Sequence, residues 1–277
     1  MTPVAKILSI AGSDPSGGAG AQGDIKTFSA LGCYGMAALT ALTAQNTLGV
    51  QAVQTVPADF VAAEIDSVFC DIAVDAVKIG MIGSRENVAA IADRLRRHQA
   101  RNVVLDPVLV ASGGHSLGGD DLVAPIREQL FPLARLVTPN LMESALFAGD
   151  RMPESPGEMR AIALKLHALG AHAVLVKGGH LPDGAAYDLL YDGAEFTEYE
   201  AARVVTRNTH GTGCALSSAI AARLGQGAGL KQAIADAKAF LSAALEAGAT
   251  LEVGAGHGPP NHFFALWGGA VTPGESR

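Results

Sequence analysis

Basic runs are missing from this chain. Its 277 residues carry 20 Lys and Arg against 27 Asp and Glu, a formal charge of −7. The densest basic cluster, Arg94-Leu95-Arg96-Arg97, has helical spacing and reads as a solvated face, not a nucleic-acid patch. An acidic protein of this kind must handle phosphate locally, with dipoles, a metal ion and one or two lysines. Cysteine is scarce as well: Cys33, Cys70 and Cys214 are odd in number and share no metal-ligand spacing. Without the pattern of a secretory leader, they point to a reducing, cytoplasmic setting. No apolar run reaches membrane-spanning length, so a soluble protein is expected. No repeat, low-complexity tract or linker interrupts the chain, and a single domain over 1–277 is expected.

What is present is a large apolar fraction, 49%, with 33 glycines and only 5% aromatics, a composition suited to tightly turned α/β layers. The stretch Asn208-Thr209-His210-Gly211-Thr212-Gly213-Cys214 runs directly into an alanine-rich segment with Leu216, Ile220 and Leu224 at helical spacing. Gly211 and Gly213 bracket the entrance of that helix, where missing side chains admit a ligand to the backbone. Unpaired N–H groups and the positive end of the dipole make such an entrance an anion site. Cys214 is the reactive side chain placed there, and the segment reads as a phosphoryl-transfer centre.

Further apolar runs read as strands at Val4–Ala11, Met36–Thr43, Gln51–Val56, Ala76–Ile79, Val103–Leu105, Leu136–Thr138 and Ala173–Lys177. Tyr187–Tyr191 and Glu195–Tyr199 form a hairpin around Asp192-Gly193. Helices are expected over Ala21–Leu31, Ala58–Cys70, Arg85–Gln99 behind the cap Ser84, and Lys231–Gly248. Ser155-Pro156-Gly157-Glu158 is a capping box opening another through Leu169. Strands alternating with helices predict a mostly parallel sheet covered on both faces, with ligands beyond the strands' carboxyl ends. Polar residues recur at those ends: Asp14, Gln45, Asp106, Asn140 and Lys177.

Gly18-Ala19-Gly20-Ala21-Gln22-Gly23 matches a dinucleotide fingerprint by letter only. Its first glycine does not directly follow the strand, and no acid lies between Asp24 and Asp59 to meet a ribose. No G-x-x-x-x-G-K-[ST] phosphate loop occurs either.

Several motifs together carry a resemblance. Ala11 to Gly20, Lys26-Thr27-Phe28, Ala44-Gln45-Asn46-Thr47, Lys78-Ile79-Gly80-Met81, Val104 to Val108, Thr138-Pro139-Asn140, Lys177-Gly178-Gly179-His180 and Asn208 to Cys214 resemble the hydroxymethylpyrimidine/phosphomethylpyrimidine kinases of thiamine biosynthesis. The resemblance implies a ribokinase-like three-layer sandwich, its central sheet mostly parallel, and a homodimer. It implies ATP as phosphoryl donor, Mg2+, and a small-molecule aminopyrimidine alcohol as acceptor, then that alcohol's monophosphate.

By the same resemblance Gly211, Thr212, Gly213 and Cys214 form the anion hole. Cys214 stands where many relatives in the superfamily carry an aspartate base, and the helix entrance is expected to lower its thiol pKa. Gln45 is expected to pair with the pyrimidine edge, with Asp24, Gly12, Met81 and Val108 completing the substrate pocket. Asn140 and Lys177, with Lys238 as a second lysine, are expected at ATP, and Asp106 and Glu143 at the metal. His180 and His210 are placed on exposed loops without a role. The glycine-rich 112–119 is a candidate lid. A pyridoxal/pyridoxine kinase and a non-catalytic pyrimidine sensor are the rival readings. The Gln45 pairing favours the aminopyrimidine over the first, and the Cys214, Asp106, Glu143 and Lys177 set argues against the second.

Overall fold

The structure, a computed structural model, describes residues 3–109, 119–179, 186–249 and 251–267. Strands β1 (Lys6–Ser13), β2 (Tyr34–Asn46), β4 (Ala76–Ile79), β5 (Val103–Leu105), β6 (Leu136–Val137) and β7 (Val174–Lys177) form the parallel body of one sheet. Strand β3 (Gly49–Thr55) adds antiparallel to β2, and β8 (Ala186–Tyr191) with β9 (Phe196–Ala201) extends the far edge antiparallel. The resulting order is β3-β2-β1-β4-β5-β6-β7-β8-β9.

Alternation along the strands builds two cores. Leu8, Ile10, Val77, Ile79, Val103, Leu105, Val137, Val174 and Val176 face one side. There they meet α2 (Ala58–Asp71), α3 (Arg85–Arg97), α4 (Val123–Gln129), α5 (Leu141–Ala148) and α6 (Pro156–Ala168). Ile7, Ala76, Val104, Leu136 and Leu175 face the other side, against α1 (Gly20–Ala30), α7 (Thr212–Gly225) and α8 (Leu230–Gly248). A strand buried on both faces is apolar wherever its side chains have no polar partner, which is why these runs are nearly continuous and not alternating. The fold is the expected three-layer sandwich. Among the described residues no helix is long and apolar enough to cross a membrane.

Local differences have local causes. β2 runs on to Asn46 because β3 pairs with it beyond the end of β1. The reciprocal capping box sits at the start of α5, where Asn140 and Glu143 bond each other's backbone N–H. At α6 only half of the expected box forms: Ser155 accepts from the Glu158 N–H, while the Glu158 carboxylate turns to Arg151 and the Glu154 N–H.

Candidate active site

The rim begins with the loop after β1. Asp14 fills that loop with its own carboxylate, accepting from the Ser16 N–H at 2.9 Å, the Ser16 hydroxyl at 2.7 Å and the Ala19 N–H at 2.9 Å. Donors that would cradle a dinucleotide phosphate are thus satisfied internally, the physical reason the glycine pattern is no fingerprint. His210 Nε2 lies 2.8 Å from Asp14 Oδ2. Burial disfavours the Asp14 anion, but hydrogen bonds from His210 and Ser16 outweigh it and hold the carboxyl below its ordinary value.

Backbone conformation shapes the α7 entrance. Gly211 sits at φ 79°, and a Cβ there would collide with the Gly18 carbonyl. Gly18 itself has no room for one, since its Cβ would meet His210 Cδ2 at 2.5 Å. The Thr212 N–H is spent on the Thr209 carbonyl at 3.3 Å, whereas those of Gly213 and Cys214 find no acceptor among the described residues. Of the expected run only the Thr212 N–H is thus spent: those of Gly211, Gly213 and Cys214 have no acceptor among the described residues, and the last two are adjacent.

Beneath that entrance lies a buried charge cluster. Ser9 and Lys78 share a register position on β1 and β4 and point toward α1 and α7. Lys78 Nζ is 2.9 Å from both oxygens of Asp24, which also accept from Ser9 Oγ at 2.5 Å and Ser218 Oγ at 2.7 Å. Burial opposes the Lys78 charge, but Asp24, then Cys214 and Asp106, outweigh it and keep the ammonium protonated. Asp24 is fully buried and saturated, which corrects its expected place in the substrate pocket. The Cys214 expectation is corrected as well. Burial pushes its thiol up, and the nearby Asp24 and Asp106 carboxylates add to that push. The Lys78 ammonium and the Gly20 N–H pull the other way without reversing it.

The adjoining strand ends carry the second cluster. Lys177 Nζ lies 2.6 Å from Asp106 Oδ1, and Thr138 Oγ1 and Ser217 Oγ bond the same carboxylate at 3.2 Å and 3.1 Å. A Cβ on Gly213 would sit 3.2 Å from Lys177 Nζ and 3.8 Å from Asp106 Oδ2, so this pair adjoins the open N–H groups. Burial opposes ionisation of Asp106, but Lys177 and then Lys78 hold it below the ordinary value. Burial, with Asp106 adding to it against the pull of Lys177, raises Glu143 to about 7. Asn140 occupies the N-cap of α5. Lys238 is not free: its ammonium lies 2.6 Å from Asp188, whose other oxygen accepts the Gly178 N–H at 3.1 Å. It braces the end of β7 in place of reaching a nucleotide, a correction to its expected role.

On the other side of the entrance stands Gln45, half-buried, with Thr43 Oγ1 at 3.2 Å and His210 Nε2 at 3.4 Å. Met81 is buried beside Gly12, whose N–H donates to the Met81 carbonyl at 3.1 Å; Val108 is half-buried just past Asp106. His210, expected on an exposed loop, is 8% exposed and links Gln45 to Asp14. His180 and residues 112–118 of the candidate lid lie outside the described residues. Sequence reasoning gave Lys78, Thr43 and His210 no role, and placed Asp14 on the rim without assigning it one. A lysine inside Ala76-Val77-Lys78-Ile79, apolar otherwise, was the available signal for a buried partner.

The two asymmetric features of the rim, open N–H groups beside a lysine and an amide in contact with His210 of the same loop, suit transfer of a phosphoryl group to a small polar ring. Comparisons with known proteins agree. The family profile described as phosphomethylpyrimidine kinase matches residues 14–261. A hydroxymethylpyrimidine/phosphomethylpyrimidine kinase of Rhizobium meliloti is 54% identical over 96% of this chain and 99% of its own. Among solved structures, a phosphomethylpyrimidine kinase from Clostridium difficile is 38% identical, covering 86% of this chain and 98% of its own at a TM-score of 0.76. A pyridoxal kinase from Staphylococcus aureus, in complex with AMP-PCP and pyridoxal, is 32% identical over 96% of each chain at a TM-score of 0.87. This chain, a phosphotransferase by fold and sequence alike, belongs to the phosphomethylpyrimidine kinase family.

Proposed function

We propose that the chain transfers the γ-phosphoryl group of ATP to the hydroxymethyl oxygen of 4-amino-5-hydroxymethyl-2-methylpyrimidine, and then a second to the resulting monophosphate. The observation that carries this reading is the pair of unsatisfied N–H groups on Gly213 and Cys214 beside the Lys177 ammonium, with Gln45 on the same rim. Transfer through a loose transition state asks chiefly for positioning and charge stabilisation. Gly213 and Cys214 N–H groups supply fixed dipoles to the migrating group, and Lys177 meets a phosphate as a point charge. The thiolate form of Cys214 takes the alcohol proton as the new P–O bond forms and the bond to the ADP oxygen breaks.

Asp106 and Glu143 are two hard carboxylates near enough to interact, Asp106 adding to the burial that raises Glu143 to about 7, and this donor chemistry fits a magnesium ion. No group of three or more candidate ligands occurs among the described residues, and Asp106 already accepts from Lys177, Thr138 and Ser217. These two residues would therefore hold the ion largely through water and phosphate oxygens. When bound, it neutralises charge on the phosphates. Asn140, as the cap of α5, fixes Glu143. Gly12, Met81 and Val108 form the apolar side of the ring pocket. A homodimer is proposed too, for which the exposed Leu42, Leu48, Val53 and Phe60 around the β3 edge supply apolar surface.

ADP release in a coupled assay tests the reading. It is expected with the pyrimidine alcohol and with its monophosphate, to depend on magnesium, and to be slower with pyridoxal. Absence of turnover with both pyrimidines would end the proposal. Light scattering of the purified chain at twice the 28.2 kDa mass checks the dimer.

A further inference from the structure

The amide of Gln45 can face its two neighbours in either of two senses, related by a half-turn that leaves its shape unchanged. Hydrogen-bond polarity decides between them. Thr43 Oγ1 carries one proton, and the Ser13 carbonyl at 2.8 Å, a pure acceptor, takes it. What Thr43 turns toward Gln45 is therefore a lone pair. His210 Nε2 lies 2.8 Å from Asp14 Oδ2, a carboxylate oxygen that only accepts, so this nitrogen bears a proton in either charge state of the ring. That single proton goes to Asp14, so what His210 turns toward Gln45 is the flank of an N–H, with no lone pair to accept the amide's donor. In the structure Gln45 Oε1 faces Thr43 at 3.2 Å and Nε2 faces His210 at 3.4 Å, like polarity against like at both ends. The half-turn gives Thr43 a hydrogen bond from the amide N–H and replaces the donor-against-donor contact at His210 by a weaker, shared bond from the N–H that Asp14 already holds.

We infer that Thr43 and the Asp14–His210 pair lock the Gln45 amide with its nitrogen toward Thr43 and its oxygen toward His210, and that this fixed order of donor and acceptor selects an aminopyrimidine over a 3-hydroxypyridine. The inference rests on the reading of Gln45 as the pyrimidine-binding residue. Thr43 and Gln45, two apart on β2, share a face of the strand. Gly18 leaves the room that the His210 ring occupies. With its flanks engaged, the amide keeps one N–H and one lone pair for a ligand. An aminopyrimidine offers the complement, an amino donor on the carbon next to a ring nitrogen. In a 3-hydroxypyridine a further carbon separates the hydroxyl-bearing carbon from that nitrogen, and the two-point match is lost. A buried polar group left unpaired is what gives such discrimination its strength. Locking also fixes which way round the ring lies, and hence whether its hydroxymethyl arm points to Cys214.

Thr43→Val keeps the side-chain shape and removes the acceptor, and Thr43→Ser keeps the acceptor. Steady-state kinetics with the aminopyrimidine alcohol and with pyridoxal are expected to show Thr43→Val raising KM for the pyrimidine by roughly tenfold, the value of one hydrogen bond. Its kcat should change little, and the pyrimidine-to-pyridoxal ratio of kcat/KM should fall by a similar factor. Thr43→Ser should keep the wild-type ratio. In a Gln45→Ala background Thr43→Val should have no further effect on that ratio, which a merely structural role would not produce. Retention of the ratio in Thr43→Val, or an undiminished fall in the Gln45→Ala background, overturns the inference while leaving the kinase reading intact. Failure of the wild-type chain to phosphorylate the pyrimidine overturns both.

Discussion

Cys214 is where residue chemistry departs most from its sequence context. A helix entrance favours a thiolate, yet burial with two carboxylates nearby pushes the thiol up. The protonated thiol cannot accept the alcohol proton, so the active fraction grows as pH rises. We expect kcat/KM to climb with pH above neutrality, and alkylation of Cys214 by iodoacetamide to climb in parallel when measured in a Cys70→Ala background, Cys70 being exposed. A rate flat from pH 6 to 9 would remove the thiol from the reaction. Cys214→Ala should lower kcat by about 10²–10⁴, the usual range for a lost general base, with KM for the pyrimidine nearly kept. Lys78 poses the complementary question of stability. Removing one member of a buried pair strands the other, so Lys78→Met should lower unfolding free energy by about 3–5 kcal/mol in urea. Adding Asp24→Asn should restore at least half of that, because no uncompensated charge then stays buried while Ser9 and Ser218 keep an acceptor.

At the scale of elements, α7 was legible because its signals were local: glycines, a small-residue run and helical spacing within one stretch. Gly211 shows how strict those signals are. Its φ of 79° lies in the left-handed region, and a side chain there would meet a backbone carbonyl that has no rotamer by which to withdraw. Gly211→Ala should therefore shift the α7 entrance, abolish turnover and lower the Tm by several degrees, whereas Gly227→Ala, a positive-φ position with nothing nearby, should change the Tm alone. The short strands β4 to β7 were equally readable as apolar runs between helices, interrupted only by Lys78 in β4 and closed by Lys177 in β7. What could not be read were pairings between distant elements. Asp24 looks like a first-turn helix residue from its neighbours, and only the stacking of β1, β4 and α7 over α1 makes it a buried anion. His210 looks like a loop residue until the loop after β1, 196 positions away, folds against it. The rim's membership followed from the rule that strand ends carry the ligand, but not the division of that rim into bonded and free donors.

At the scale of the whole molecule the C-terminal segment ties the fold to pH. A cavity of about 410 Å3, at the opposite end of α7 from Cys214, is lined by Leu31, Arg223, Phe240, His262, Phe264 and Leu266. His262 is buried there, 5% exposed, and its Nε2 has no partner among the described residues. Burial, helped by the Lys26 ammonium, lowers its pKa to about 4 from an ordinary 6.5. The unfolded chain therefore binds a proton near pH 6.5 that the folded chain refuses until about pH 4. Stability from this group is complete above the unfolded value and drains away as pH falls between the two, by about 3 kcal/mol in all. Asp14, whose folded pKa is depressed, loses its contribution in the same direction at lower pH, so the test must isolate the histidine. His262→Gln has no titrating ring. Urea unfolding of both proteins at pH 7 and pH 5 should find the variant losing less stability on acidification than the parent, with the difference confined to the interval above pH 4. Equal losses would mean that water or a rearranged tail already solvates the ring, and that this end of the molecule opens before the sheet does.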